Sequence, residues 1–336
     1  MNFEDVQEKK IVPVFFAFNN DYTVPAAVAF FSLLNSALKN VFYKLYVLHS
    51  DITEENQNLL LDILKRFKNN SSLDFIDIKD SFNEFFENGS FCKGEAGSVF
   101  TKDTLTRCFA SRFFPQYDKI IYSDVDVVFK DDISELYDVD MSETYFAGVR
   151  NAFSLWNDKE LEHLPENLQK ELQNEYIGGG LFVMNLKKIR EDKIEEKMFE
   201  VINDKTIRKQ WPDQDIINLA CLHKISFLPL NYISYPYLLD IINNPEFKSV
   251  YSKEELFDSI INPKIIHYAA NKPWNGEPKR AEEWWNIFYY LDLPKTRIFK
   301  KPKTKLRKYK KLFLISLICS GVFLLLVLIL FAMLVS

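Results

Sequence analysis

Along its first 129 residues the chain alternates short β-rich runs with segments whose apolar residues recur at helical spacing, and few folds accommodate that order. The β-rich runs are Ile11–Phe16, Lys44–His49, Leu73–Ile78 and Lys119–Phe129, and the helical segments between them are Ala26–Asn40, Glu54–Asn69 and Thr101–Phe114. A strand joined to a parallel neighbour needs a crossover of about this length, so the pattern predicts βαβ units and an α/β fold with a mostly parallel sheet. Ligands of such sheets bind beyond the carboxyl ends of the strands. That rule directs attention to Phe18–Tyr22 after the first strand and to Ser123–Asp126 near the end of the fourth. Later in the chain the pattern loosens. Helices are predicted over Leu161–Asn174, Arg190–Asn203 and Asp215–Leu222, a strand over Leu181–Asn185, and aromatic stretches such as Trp284–Tyr290 are read mainly as core.

Composition bounds the function class. With 336 residues, 47% of them hydrophobic, the chain is too apolar for disorder and too long for a small stapled module. Its four cysteines (Cys92, Cys108, Cys221, Cys319) form no C-x-x-C pair, which argues against a zinc knuckle or disulfide framework and for a reducing compartment. No linker or repeat interrupts the first 295 residues, so they are read as one domain. Of the 42 Lys and Arg, eight fall in residues 300–311, leaving the first 299 with 34 against 47 Asp and Glu, a net charge of −13. So acidic a body does not suit a nucleic-acid partner. The basic stretch, 296–311, leads into Leu312–Val335, 24 residues without a charge. As a helix that run would be about 36 Å long, enough for a bilayer core of about 30 Å. With no signal-peptide character at the N-terminus, the positive-inside tendency predicts a single-pass C-terminal anchor in the inner membrane, the N-terminal domain facing the cytoplasm, and basic residues beside anionic membrane lipid.

Four local features carry possible chemistry. Ile120–Phe129 is an apolar run interrupted by Asp124 and Asp126 at i and i+2, which face the same way if the strand is continuous. Two carboxylates in apolar surroundings repel each other unless a cation neutralises them, and oxygen ligands suit Mg²⁺ or Mn²⁺; an exposed strand end is the alternative. Gly178-Gly179-Gly180 gathers three of only nine glycines, which suggests either a close backbone approach or a turn or bulge. Trp211-Pro212-Asp213-Gln214-Asp215 opens a helical stretch in which Asp213 or Asp215 reads as an N-cap, and the uncharged Gln214 reads as no nucleophile or base but as a group able to hydrogen-bond a sugar or a developing cation. His267 follows a short apolar strand, with Lys272 five residues on, and is either structural or a third metal ligand.

Taken together, these features resemble the retaining glycosyltransferases of family 8, which include lipopolysaccharide galactosyl- and glucosyltransferases and the glycogenins. The resemblance covers roughly residues 11–275 and rests on Phe18–Tyr22, Arg107, Tyr122-Ser123-Asp124-Val125-Asp126, Tyr176–Asn185, Asp213-Gln214-Asp215, and His267-Tyr268 through Lys272-Pro273-Trp274, in the family's order. It implies a GT-A fold, a Rossmann-like mixed sheet flanked by helices. It further implies a metal-dependent enzyme moving glucose or galactose from a UDP-sugar to a glycan or glycolipid acceptor. In that reading Asp124, Asp126 and His267 hold Mn²⁺ or Mg²⁺; Asn20, Tyr22, Arg107, Asp124, Val125, Gly178, Gly179 and Lys272 bind the donor; and Asp213 and Gln214 are catalytic. The chain departs from the family at Gly178–Gly180, where Asn-Ala-Gly is common, at Asn151, where a carboxylate is common, and in a short His267–Lys272 spacing. The glycine substitution and the short His267–Lys272 spacing motivate one alternative, a catalytically inactive membrane-anchored nucleotide-sugar-binding protein; a second, a nucleotidyltransferase, follows from its sharing a Rossmann-like sheet and carboxylate-bound metals.

Overall fold

The computed structural model describes residues 9–81, 105–151, 161–243, 249–269 and 271–294. The chain divides into two units, Met1–Leu293 and Pro294–Ser336, and the account below concerns the first.

Strand β1 (Lys10–Ala17) is buried from Val12 to Ala17, so both of its faces need cover. Phe16 packs on Phe30 of helix α1 (Thr23–Asn35), ring centroids 4.7 Å apart, while Phe15 meets Phe114 and Tyr122 at 5.4 and 5.0 Å. β2 (Val41–His49) pairs in parallel with β1, and β3 (Ser71–Asp77) with β2; helix α2 (Glu54–Leu64) connects them, its first turn capped by Thr53. β4 (Lys119–Ser123) lies parallel to β1 on the opposite side from β2. The chain order therefore reverses between β1 and β4, and the carboxyl ends of these two strands open the crevice in which such sheets bind ligands.

The remaining elements build the other half. They are β5 (Val127–Phe129), β6 (Phe146–Arg150), α3 (Glu166–Leu172), β7 (Ile177–Asn185), α4 (Leu186–Glu191), α5 (Ile194–Asn203), α6 (Pro212–Ala220), β8 (Ile225–Phe227), α7 (Leu238–Ile241), α8 (Lys253–Ile261), β9 (Ile265–His267) and α9 (Ala281–Tyr290). β7 runs antiparallel to β4 and β6 antiparallel to β7, giving a mixed seven-stranded sheet in the order β3-β2-β1-β4-β7-β6-β8, with β5 and β9 as a separate antiparallel pair. One face is filled by Phe109, Ile194, Met198, Ile216 and Ile217 packed on Tyr122, Phe146 and Phe182.

Several sequence expectations shift for local reasons. α1 stops at Asn35, not Asn40, because Ser36 Oγ donates back to the Ser32 and Leu33 carbonyls and Leu38 N–H is drawn to the Asp132 carboxylate. Within the described part of Thr101–Phe114, a six-residue 3₁₀ segment, Arg107–Arg112, replaces the α-helix and is kinked at Phe109. Arg190–Asn203 breaks at Lys193, which sits at φ 53°. The run Lys119–Phe129 is two strands, β4 and β5, interrupted at Asp124–Asp126.

The expected membrane-crossing helix, and with it the single-pass localisation at the inner membrane, needs correction. Among the described residues no helix is long and apolar enough to cross a membrane. Their longest, α1, has 13 residues, about 20 Å of helix against a core of about 30 Å. The stretch Leu312–Val335, on which the expectation rested, lies outside the described residues, as does the basic segment 296–311.

Candidate active site

The break after β4 builds the site. The β4–β7 ladder ends at Ser123 opposite Leu181; Asp124 N–H then donates to the Gly180 carbonyl at 2.8 Å, and the chain turns out to pair β5 with β9. In that pairing Tyr268 N–H donates to the Asp126 carbonyl at 3.0 Å, which fixes His267 beside Asp126. His267 Nε2 lies 3.3 Å from an Asp126 oxygen and 3.5 Å from an Asp124 oxygen. The two carboxylates thus converge through a turn rather than along one strand. One ligand atom from each of Asp124, Asp126 and His267 lies within 4.8 Å of the others. A small divalent ion holding its ligands at about 2.1 Å sets neighbouring donors about 3 Å apart, so two carboxylates and an imidazole at these spacings fit Mg²⁺ or Mn²⁺.

Charge around this trio is balanced by two cations, Lys272 and Arg107. Lys272 Nζ bonds the second Asp126 oxygen and donates to the Ala269 carbonyl at 2.9 Å. Arg107 bridges Asp124 at 3.1 Å and Asp213 at 3.0 Å, and Tyr122 also donates to Asp124. Burial acts to raise the Asp124 carboxyl, but Arg107 and His267 hold it below its ordinary range; Lys272 and His267 do the same, more strongly, for Asp126. Burial acts against a charged His267, yet Asp126 and Asp124 push its pKa up to about 9. Asp213 moves the other way: burial raises it, and Arg107 only partly offsets that. Despite its short spacing from His267, Lys272 reaches the trio.

The three glycines lie inside β7, not in a turn, and two of them are demanded by close approach. A Cβ on Gly180 would sit 2.4 Å from His267 Cε1, and one on Gly179 would sit 2.8 Å from an Asp213 oxygen and 3.1 Å from Gln214 Cγ. Bare backbone is what lets β7 pass against both groups.

A cleft of about 410 Å³ joins these groups. Of the residues expected from sequence, Arg107, Asp124, Asp126, Gly178, Gly179, Asp213, Gln214, His267 and Lys272 line it. Val125 is buried and does not. Tyr22 does not line it; its ring is edge-on to Trp274 at 6.1 Å, and burial raises its hydroxyl pKa against the opposing influence of Lys272. Asn20 spends its carboxamide oxygen on Thr53 N–H and Asn56 Nδ2, tying the first-strand loop to α2. Asp215 faces away from the cleft, fully buried, accepting from Trp211 N–H and Tyr176 and paired with His163. Three further lining residues were not expected in the site: Trp211 heads the Trp211–Asp215 segment, Asn151 was noted only as a departure from the family pattern, and Tyr235 carries no motif; Asn151 Nδ2 donates to Gln214 Oε1 at 3.4 Å. Only the finished tertiary contacts bring them in.

Residues 13–277 match the family model described as glycosyl transferase family 8. The chain belongs to that family. This glycosyltransferase is 25% identical to the lipopolysaccharide 1,2-glucosyltransferase of Escherichia coli over 95% of its own length and 90% of that protein's. It is also similar to the apo structure of the bifunctional glycosyltransferase WbbM (TM-score 0.71, 26% identity), covering 90% of this chain and 52% of that one. The galactosyltransferase LgtC, solved with donor and acceptor sugar analogues, shares the fold at TM-score 0.67 and 18% identity, over 85% of this chain and 98% of that one. The mixed α/β architecture is accordingly GT-A-like.

Proposed function

We propose that this family 8 glycosyltransferase is a retaining hexosyltransferase that moves glucose or galactose from a UDP-sugar to a glycan or lipid-linked acceptor such as lipopolysaccharide. One observation carries the reading: Asp124, Asp126 and His267 cluster at the carboxyl end of β4, with Lys272 on one side and Asp213, Gln214 and the bare β7 backbone on the other. That arrangement suits a diphosphate beside the cluster and a sugar beyond it. The acceptor class is supported by the name of the E. coli relative.

In this reading Asp124, Asp126 and His267 hold Mn²⁺ or Mg²⁺, which when bound supplies positive charge against the diphosphate. Lys272 stabilises negative charge as it develops on the departing UDP. Arg107 and Asp213 orient the donor sugar, and Gly178 and Gly179 allow it to approach the backbone. Tyr22, Asn20 and Val125 belong to the nucleotide side, and Gln214 lies near the anomeric carbon. The bond from that carbon to the diphosphate oxygen breaks as the bond to the acceptor oxygen forms on the same face, and the acceptor proton passes to the departing phosphate. The engagement of Asp213 by Arg107, and of Asp215 behind the helix, supports this route over a double displacement, because neither carboxylate is presented as a free nucleophile.

The test is a panel of UDP-sugars with Mn²⁺, read by mass spectrometry as UDP release, with the product anomer determined. UDP release from a UDP-hexose with retained configuration is expected. Release from every sugar equal to that of Asp126→Ala, an inverted product, or a covalent glycosyl-enzyme would each overturn it.

A further inference from the structure

We infer that the Tyr235 hydroxyl is a contact of the donor sugar, and so a specificity-determining group of the cleft; this rests on the UDP-hexose reading above. β7 crosses the cleft without side chains from 178 to 180, and each bare position faces a different group. Gly180 abuts the His267 ring, Gly179 abuts Asp213 and Gln214, and an ideal Cβ on Gly178 would lie 3.3 Å from the Tyr235 hydroxyl oxygen. Residues two apart on a strand share a face, at about 3.3 Å per residue, so Gly178 and Gly180 mark two points about 7 Å apart on one wall. At one point stands a ligand of the cation cluster; at the other, the phenol oxygen occupies the space that a side chain at position 178 would fill.

Tyr235 is built to hold that oxygen still. The residue is 5% exposed, and its ring is stacked on Tyr237 (centroids 5.2 Å, 26°) and tilted against His267 (5.6 Å). A ring held from both sides loses little further freedom when a ligand arrives, and a phenol both donates and accepts hydrogen bonds. The tyrosine lines the same cleft as Asp213 and Gln214. Hexoses differ from one another in the placement of hydroxyls, and a site that pairs one of them discriminates strongly against a ligand that leaves the pair unmade.

Calorimetric titration with UDP, UDP-glucose and UDP-galactose in the presence of Mn²⁺ separates this role from a structural one. In Tyr235→Phe, whose ring keeps its packing, UDP should bind as it does to wild type, while the preferred UDP-hexose should bind about three- to tenfold more weakly. Gly178→Ala, which crowds the hydroxyl, should lower UDP-hexose affinity in the same selective way. Equal losses for UDP and UDP-hexose, or no loss for either, would overturn the inference while leaving the donor reading intact. Failure of the wild-type protein to bind any of the three would overturn both.

Discussion

The two halves of the sheet are organised by different means. From β1 to β3 the register runs unbroken, eight residue pairs between β1 and β2 and seven between β2 and β3, with each crossover supplied by the nearest helix. From β4 onward every strand but the nine-residue β7 has five residues or fewer, the β6–β7 register shifts between Gly148 and Arg150, and β9 pairs outside the main sheet, with β5 over three residues and with Ser234 through an isolated bridge to Ile266. The first half is held by neighbours in sequence and the second by distant ones: Lys272 reaches Asp126 across 146 residues, and Arg107 reaches Asp213 across 106. Most of the chemistry sits in the second half. A regular scaffold supplies a crevice, and irregular connections deliver the side chains to it.

Substitutions in the two halves should therefore be felt in different observables. The largest effect is expected at Asp126. Asp126→Ala removes a proposed metal ligand and leaves Lys272 without its carboxylate, and Mn²⁺-dependent UDP release should fall about a thousandfold or more, a loss of several kcal/mol. Survival of more than a tenth of the activity would separate this half of the cleft from the chemistry. In the regular half, Leu33→Ala on the buried face of α1 should cost about 2–5 kcal/mol of stability by denaturant unfolding while UDP affinity of the folded protein stays unchanged.

A third test uses pH. The Asp126 and Asp124 carboxylates push the His267 pKa up to about 9, which keeps the ring protonated at neutral pH in the absence of metal, whereas coordination needs the neutral ring. The carboxylates are already ionised. Mn²⁺ affinity should consequently rise with pH, by up to about tenfold per unit, and level off above about 9; a flat profile from 6 to 9 would remove His267 from the ligand set. Smaller again is Gly180→Ala, whose Cβ would meet the His267 ring. It should cost about 1–3 kcal/mol and weaken Mn²⁺ binding, in contrast to Leu33→Ala. Least of all, breaking the exposed Lys65–Asp62 pair at the end of α2 by Lys65→Ala should shift stability by no more than about 0.5 kcal/mol and touch neither metal nor nucleotide.

How much of this was legible in sequence follows the same division. β1 and β2 read correctly because a buried parallel strand is largely apolar, and the edge strand β3 because Leu73 and Phe75 alternate with the exposed Asp74, patterns that are all local. The carboxylates of Asp124 and Asp126 were visible as an anomaly in an apolar run, but the straight strand drawn through them was wrong. The turn there is made by β9, more than a hundred residues away. A cluster of glycines left a close approach and a turn or bulge equally open, and the structure decides for close approach, to His267, Asp213 and Gln214. Tyr235 gave no signal, since an aromatic residue in an irregular segment reads as core.

The sequence by itself determined the βαβ order, the family resemblance and the residue types of the site, because periodicity and motif are properties of neighbouring residues. Only the tertiary structure decided which carboxylate meets His267, why β7 must be bare, what Lys272 and Arg107 neutralise, and where Tyr235 points. Those outcomes depend on contacts between segments far apart in the chain, and the free energy of such a contact belongs to the pair and its surroundings rather than to either segment alone.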